Sequence, residues 1–297
     1  VSCKILDGKV VSESVLSGLC SEIRALLLST GRDPGLAVVL VGDNPASKFY
    51  VESKKKACQK IGINSYDYRL PATASEGELC ELIRHLNNDP EIHGILVQLP
   101  LPNGFDEQKI VELISPEKDV DGFHPVNVGR VLQGISGFKS CTPYGVLELL
   151  RYYDIDVAGK HVVIVGRSNI VGKPLASLLI QRGPGADATV TICHSKSENV
   201  RELTARADVV VSAIGVPEFL TAEMVKPGAV VVDVGINRVD DPNAKNGYRI
   251  VGDVNYAMVK KNASAITPVP GGVGPMTIAM LMKNTVESFK KSLGGLQ

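Results

Sequence analysis

The 297-residue chain has no surplus of either charge: Lys+Arg and Asp+Glu both number 32, and the formal net charge is zero. Without a basic surplus there is no global electrostatic case for nucleic acid or an anionic membrane, so a small molecule is the default ligand. The six cysteines form no Cys-x-x-Cys pair, and no His/Cys cluster has zinc spacing. No metal site is expected, and the thiols read as reduced, mostly buried groups of a cytoplasmic protein. No apolar run reaches membrane-spanning length, and the opening residues hold no apolar signal core. A soluble protein is expected, although a leader already removed would leave no trace. Internal repeats and low-complexity tracts are also missing. What remains is an ordinary globular balance, 44% hydrophobic and 22% charged, at a length that suits two domains.

Apolar strand-like runs at 36–41, 65–70, 92–99, 162–165, 189–193, 209–214 and 230–234 alternate with helical patterns near 12–29, 46–61, 76–88, 106–114, 144–153, 173–182 and 198–206. Such alternation predicts an α/β protein with parallel sheets. A run of special residues from Pro116 to Thr142, with Gly122, Gly129, Gly134 and Gly137, separates the two series. The inter-domain cleft is expected along it, because ligands bind outside the carboxyl ends of parallel strands and between domains.

The stretch His161-Val-Val-Ile-Val-Gly166-Arg-Ser-Asn-Ile-Val-Gly172-Lys-Pro174 reads as a buried strand, a glycine turn and a helix start, which aims backbone N–H groups at a phosphate. Leu175, Leu178 and Leu179 supply the helical spacing, and Pro174 suits a first turn. A P-loop fails, because five residues separate Gly166 from Gly172 where four are required, and Pro174 replaces the magnesium-binding hydroxyl. A degenerate dinucleotide turn remains, with Ser168 in place of the second glycine, or else an ordinary strand-to-helix connection. The next strand ends in His194-Ser195-Lys196 rather than a carboxylate, and Asp187 lies at its wrong end. A ribose 2′-phosphate would find Arg167, Ser195 and Lys196 there, which favours NADP over NAD unless these are solvated surface charges. A second glycine-rich element, Thr267-Pro-Val-Pro270-Gly271-Gly272-Val-Gly274-Pro-Met-Thr277, repeats the logic. Its glycines permit close approach to a ligand and its prolines stiffen the loop.

Tyr50 and Lys54 lie four apart on a predicted helix, so an aromatic side chain and an amine share one face. A lysine in an apolar cleft loses hydration of its charged form and becomes available for proton transfer near neutral pH. Lys55 and Lys56 fit the opposite reading, a solvated helix face. Gln98 is the polar residue near the carboxyl end of the apolar strand 94–99, either a satisfied core amide or a partner for that lysine. Asp119 and Asp121 alternate before Gly122 without the remaining ligands of a calcium loop. Asp121 is then an acceptor for ligand N–H groups or a turn residue.

Taken in order, Tyr50-x-x-x-Lys54, Gly94 to Pro100, Pro116 to Gly122, Gly166 to Gly172, Cys193-His-Ser195 and Thr267 to Thr277 closely resemble the bifunctional methylenetetrahydrofolate dehydrogenase/methenyltetrahydrofolate cyclohydrolase family, over nearly the whole chain. The resemblance implies Lys54 as the central catalytic residue, Gln98 positioning it and tuning its pKa, Tyr50 stacking along the folate and Asp121 anchoring the pterin. Pro270 and Gly271 would also touch substrate. Gly166, Arg167, Ser168, Ile170, Val171, His194, Ser195, Gly272 and Gly274 would bind NADP. The implied organisation is a folate-binding catalytic domain over 1–145 joined by a returning helix over 275–297, and a Rossmann-like domain over 146–274. The implied activity is oxidation of 5,10-methylenetetrahydrofolate and hydrolysis of the methenyl product to 10-formyltetrahydrofolate, by a homodimer paired through its nucleotide-binding domains. Two rivals are a folate- or nucleotide-binding module without turnover, and another two-domain dehydrogenase of the shikimate or amino-acid kind. An assay with each substrate and NADP separates them.

Overall fold

The structure, a computed structural model, describes residues 3–244 and 247–294. In chain order the strands are β1 (Lys4–Ile5), β2 (Gly35–Val41), β3 (Asn64–Leu70), β4 (Gly94–Val97), β5 (His161–Val165), β6 (Thr189–Cys193), β7 (Val209–Ser212), β8 (Val230–Asp233), β9 (Asn237–Asp240), β10 (Tyr248–Val251) and β11 (Ala265–Ile266). The α-helices are α1 (Gly8–Thr30), α2 (Pro45–Ile61), α3 (Glu76–Asn88), α4 (Glu107–Leu113), α5 (Pro125–Leu132), α6 (Cys141–Tyr152), α7 (Gly172–Leu179), α8 (Val200–Thr204), α9 (Tyr256–Val259) and α10 (Val273–Gly294). They form two compact units.

The first unit comprises Glu13–Cys141 and the chain from Ile278. Its three parallel strands run in the order β3-β2-β4. β2 is an unbroken apolar run buried along its whole length, as a central parallel strand covered on both faces must be. β3 is an edge strand: Tyr66, Tyr68 and Leu70 pack on the core, and the alternate residues face away. α3 begins at a capping box in which the Glu78 N–H donates to Ser75 Oγ and the Ser75 N–H donates to the Glu78 carboxylate. Its buried Leu79, Cys80, Ile83 and Leu86 join Ala37, Val39, Ile95 and Val97 in one core cluster. β4 is shorter than the expected 92–99, and its ladder stops just before Gln98, which leaves that side chain at the carboxyl edge. The run from Pro116 to Thr142, for which the sequence pattern suggests no helix, contains α5. There His124 caps the helix by accepting the Val126 N–H, and Pro125 opens it, so start signals outweigh the internal Gly129.

The second unit comprises the chain up to Ser12 with Thr142–Thr277. Six parallel strands follow the order β1-β11-β8-β7-β5-β6, and β9 and β10 form a separate antiparallel pair. β6 and β7 lie on opposite sides of β5, so the loop after β5 stands at the switch point where doubly wound sheets take ligands. The division at 1–145 differs at the start of the chain: Lys4 pairs with Ala265 and Ile5 with Ile266, which draws the opening residues into this unit. A two-residue strand carries no periodicity by which to foresee this. α10 begins at Val273, two residues before the expected Pro275, and from Ile278 it clusters with the first unit. Residues 295–297 of the expected helix lie outside the described residues.

His93 precedes β4 with its ring buried edge-on against Phe289, and its Nδ1 accepts the Gly35 N–H at 2.9 Å. Burial pushes its pKa down to about 4, with Arg32 and Lys118 adding repulsion, so the imidazole is neutral in the fold. The unfolded chain takes up this proton below pH about 6.5, the ordinary histidine value, and protonation therefore favours unfolding. The His93 contribution to stability is complete above that pH and is lost as pH falls toward 4. Thermal midpoints measured from pH 7 to pH 4 are expected to fall less steeply in His93→Asn than in the unaltered chain.

Candidate active site and nucleotide-binding edge

In the first unit, Lys54 sits on the face of α2 that also buries Val51, Ala57, Cys58 and Ile61, and it is only 9% exposed. Its Nζ donates to Gln98 Oε1 at 2.9 Å. Gln98 is held in turn: its backbone N–H donates to Val39 O at 2.9 Å and its Nε2 to Leu99 O at 2.6 Å, so its carbonyl oxygen is left to face the amine. Desolvation lowers the Lys54 pKa, while the Asp121 carboxylate opposes that shift. Asp121 is itself raised by burial and drawn back by Lys54 and by a hydrogen bond with the Cys141 thiol. An amine poorly hydrated in its charged form, with a carbonyl acceptor and a carboxylate near it, is equipped for proton transfer. The neighbouring lysines differ: Lys55 pairs with Asp67 at 2.6 Å, and Lys56 is exposed. Tyr50, one turn before Lys54, is half-buried on the same helix.

The two alternating carboxylates have separate work. Asp119 accepts the N–H groups of Gly122, Phe123 and His124 and the Asn127 amide, which makes it the turn former. Burial raises its carboxyl to about 6 against those donors. Asp121 is thereby free of the turn. Its segment is fixed from the other side, because Gly122 (φ +75°) packs directly on the Lys139–Ser140 backbone and Asn284 of α10 donates to both Val120 O and Lys139 O, at 2.8 and 2.9 Å.

In the second unit, the Gly166–Val171 loop follows β5 and His194-Ser195 follows β6, side by side because the Gly166 N–H donates to Cys193 O at 2.8 Å. Gly166 has φ +128°, and a Cβ there would stand 2.3 Å from Ala213 O. A Cβ on Gly172 would meet Gly166 O at 2.1 Å, so both positions require glycine for backbone to pass backbone. Arg167, Ser168, Ile170 and Ser195 are exposed along this edge, Val171 and His194 partly so. No side chain caps the start of α7, which leaves its N-terminal dipole toward the loop. Gly271, Gly272 and Gly274 follow β11, which is separated from β5 in the same sheet by β7 and β8, and Pro270 is exposed beside them. The Gly8 N–H donates to Gly271 O at 2.9 Å. Sequence reasoning passed over Cys141 and Asn284 in the first unit and over Asp233 and Asp253 in the second. The signal for the last two was a carboxylate within two residues of a glycine just at or after a strand, in Asp233-Val-Gly235 and Gly252-Asp253.

The architecture and these two edges define an α/β protein with a lysine-centred polar site in one unit and a Rossmann-like dinucleotide edge in the other. Residues 6–121 match the catalytic domain of tetrahydrofolate dehydrogenase/cyclohydrolase, and residues 140–293 match its NAD(P)-binding domain. The bifunctional protein FolD of Chlorobium chlorochromatii is 56% identical over 98% of this chain and 99% of its own. The crystal structure of the bifunctional FolD methylenetetrahydrofolate dehydrogenase/cyclohydrolase of Campylobacter jejuni superposes with a TM-score of 0.92 at 50% identity, covering 98% of this chain and 99% of that one. That of the Trypanosoma brucei enzyme, complexed with NADP cofactor and inhibitor, gives 0.93 at 39% identity, covering 99% of each chain. The chain belongs to the tetrahydrofolate dehydrogenase/cyclohydrolase family.

Proposed function

We propose that this chain oxidises 5,10-methylenetetrahydrofolate to 5,10-methenyltetrahydrofolate with NADP and hydrolyses that product to 10-formyltetrahydrofolate. The observation that carries the reading is the buried Lys54 amine hydrogen-bonded to Gln98 and opposed by Asp121, in a chain both of whose halves match the family. Bound NADP would accept the hydride released from the one-carbon bridge. Gly166, Arg167, Ser168, Ile170, Val171, His194, Ser195, Gly272 and Gly274 would hold it, a reading supported by the tight glycines, the uncapped helix start, and Arg167 and Ser195 as exposed donors that would meet a 2′-phosphate.

Asp121 is assigned to anchor the pterin through its N–H groups, Tyr50 to stack along the folate, and Pro270 and Gly271 to contact substrate. In the hydrolytic step a water oxygen bonds to the methenyl carbon and Lys54 takes up the proton released; the carbinol hydroxyl proton then passes to N5 as the carbon–N5 bond breaks, which leaves the formyl group on N10 and one net proton for solvent. Gln98 positions the amine. The six free thiols support a reducing compartment such as the cytoplasm. The family resemblance supports a homodimer through the second unit, which sedimentation velocity would read directly.

The two activities are expected to separate. Lys54→Met keeps the length and apolar stem but removes the amine, so methenyl hydrolysis should fall by roughly 100-fold or more, as on losing an acid–base group. Dehydrogenation, which rests chiefly on holding the bridge carbon near the hydride acceptor, should persist in part. A wild-type hydrolysis rate in the folded variant would remove Lys54 from the step. Gln98→Ala supplies the sign of the tuning: its carbonyl favours the charged amine, so its loss lowers the Lys54 pKa further. The limb of the pH–rate profile that rises as Lys54 deprotonates should move to lower pH.

For the cofactor, Arg167→Ala should raise KM for NADP about 10-fold or more while leaving KM for NAD nearly unchanged, because only NADP carries the 2′-phosphate. Steady-state kinetics with both cofactors decides it, and equal effects on the two would defeat the assignment.

A further inference from the structure

Between the loop after β5 and the second glycine-rich element stand β7 and β8, and their ends are organised by two buried carboxylates that no step above employs. Asp233 closes β8, and Asp253 follows β10. Asp233 Oδ1 accepts the N–H groups of Gly235 at 3.0 Å and Asp253 at 2.9 Å, and its Oδ2 accepts that of Val254 at 2.9 Å. Asp253 Oδ2 accepts the N–H groups of Ile214 at 2.7 Å and Gly215 at 3.2 Å and the Ser212 hydroxyl at 3.4 Å, while its Oδ1 accepts the Asn237 amide at 2.9 Å.

The packing is reciprocal. A Cβ on Gly252 would lie 1.8 Å from Asp233 Oδ2, and a Cβ on Gly235 would lie 2.1 Å from Asp253 Oδ1. Each carboxylate therefore occupies the space beside a glycine that lies within two residues of the other. The network also crosses to β11, since the Asp233 N–H donates to Thr267 Oγ1 at 2.7 Å, at the first residue of the second glycine-rich element. The segments it fixes carry the exposed apolar side chains Val216 and Ile236, and Ile236 Cδ1 is the atom closest to a Cβ built on Gly274, at 3.7 Å. Burying carboxylates is costly unless donors meet them, and here the donors belong to the loops that shape the carboxyl edge of the sheet.

We propose that Asp233 and Asp253 are positioning residues for the dinucleotide: their reciprocal seating on Gly252 and Gly235 sets the loops after β7 and β8, and with them the middle of the cofactor-binding edge. The inference rests on the cofactor reading above and adds to it two residues that act through Gly215, Ile236 and Asn237. An amide in place of either carboxylate would turn an NH2 group toward backbone N–H donors, so one oxygen's acceptor capacity is lost without a change of shape.

The test uses the full chain with Asp233→Asn, Asp253→Asn, the double variant, and Asn237→Ala as a milder change that removes one donor. NADP affinity is read by calorimetry, and methenyl hydrolysis, which consumes no NADP, is assayed in parallel. The expected result is a Kd for NADP raised 10-fold or more in each carboxylate variant and severalfold in Asn237→Ala, with hydrolysis within about twofold of wild type. The double variant should be no worse than the weaker single one, because the two act as one unit. Unchanged NADP affinity in folded variants overturns the proposal, and so does parallel loss of hydrolysis and binding in all of them, Asn237→Ala included. Failure of the unaltered chain to bind NADP would instead refute the cofactor reading, so the two failures are distinguishable.

Discussion

The polar site of the first unit is organised around keeping one amine out of water. Lys54 shares the buried face of α2 with apolar neighbours, and withdrawing an ammonium from solvent costs several kcal/mol unless opposing groups answer it. The answer here is partial. Gln98 offers a neutral carbonyl and Asp121 a carboxylate whose own charge is discouraged by burial. Full charge compensation would return the amine to an ordinary ammonium, and none would leave it without a reason to be there. The intermediate condition leaves a group able to give and take a proton.

Maintaining that condition occupies much of the first unit. Asp119 carries the turn so that Asp121 need not, Gly122 lets two backbones meet, and Asn284 ties Val120 and Lys139 together from α10. The second unit follows a related logic with backbone in place of an amine. Its ligand edge consists of polar N–H groups brought close by glycines that admit no Cβ, with buried carboxylates as internal acceptors for those not aimed outward.

Much of this was legible in the sequence, for identifiable reasons. Strands such as 36–41 and 162–165 are continuous apolar runs, and Leu175, Leu178 and Leu179 mark α7 by spacing. The pairing of Lys54 with Gln98 was readable as one of two alternatives, because a polar residue at the end of an apolar parallel strand has few places to go. Other features were not legible. β1 and β11 are two residues each and exist through pairing with distant segments. α5 was hidden by its glycine, although His124-Pro125 announced it. Asp233 and Asp253 gave only a faint signal, because most of their partners are backbone N–H groups, which every sequence possesses and none displays.

The ionisation of Lys54 tests the low-pKa amine most directly. In protein labelled with 13C-lysine, with the signal assigned by its disappearance in Lys54→Met, the Cε resonance can be followed from pH 6 to pH 11. A midpoint below the ordinary lysine value of 10.5 is expected, shifted further down in Gln98→Ala. A midpoint at or above 10.5 would mean an ordinary solvated or ion-paired ammonium, and would contradict a low-pKa amine.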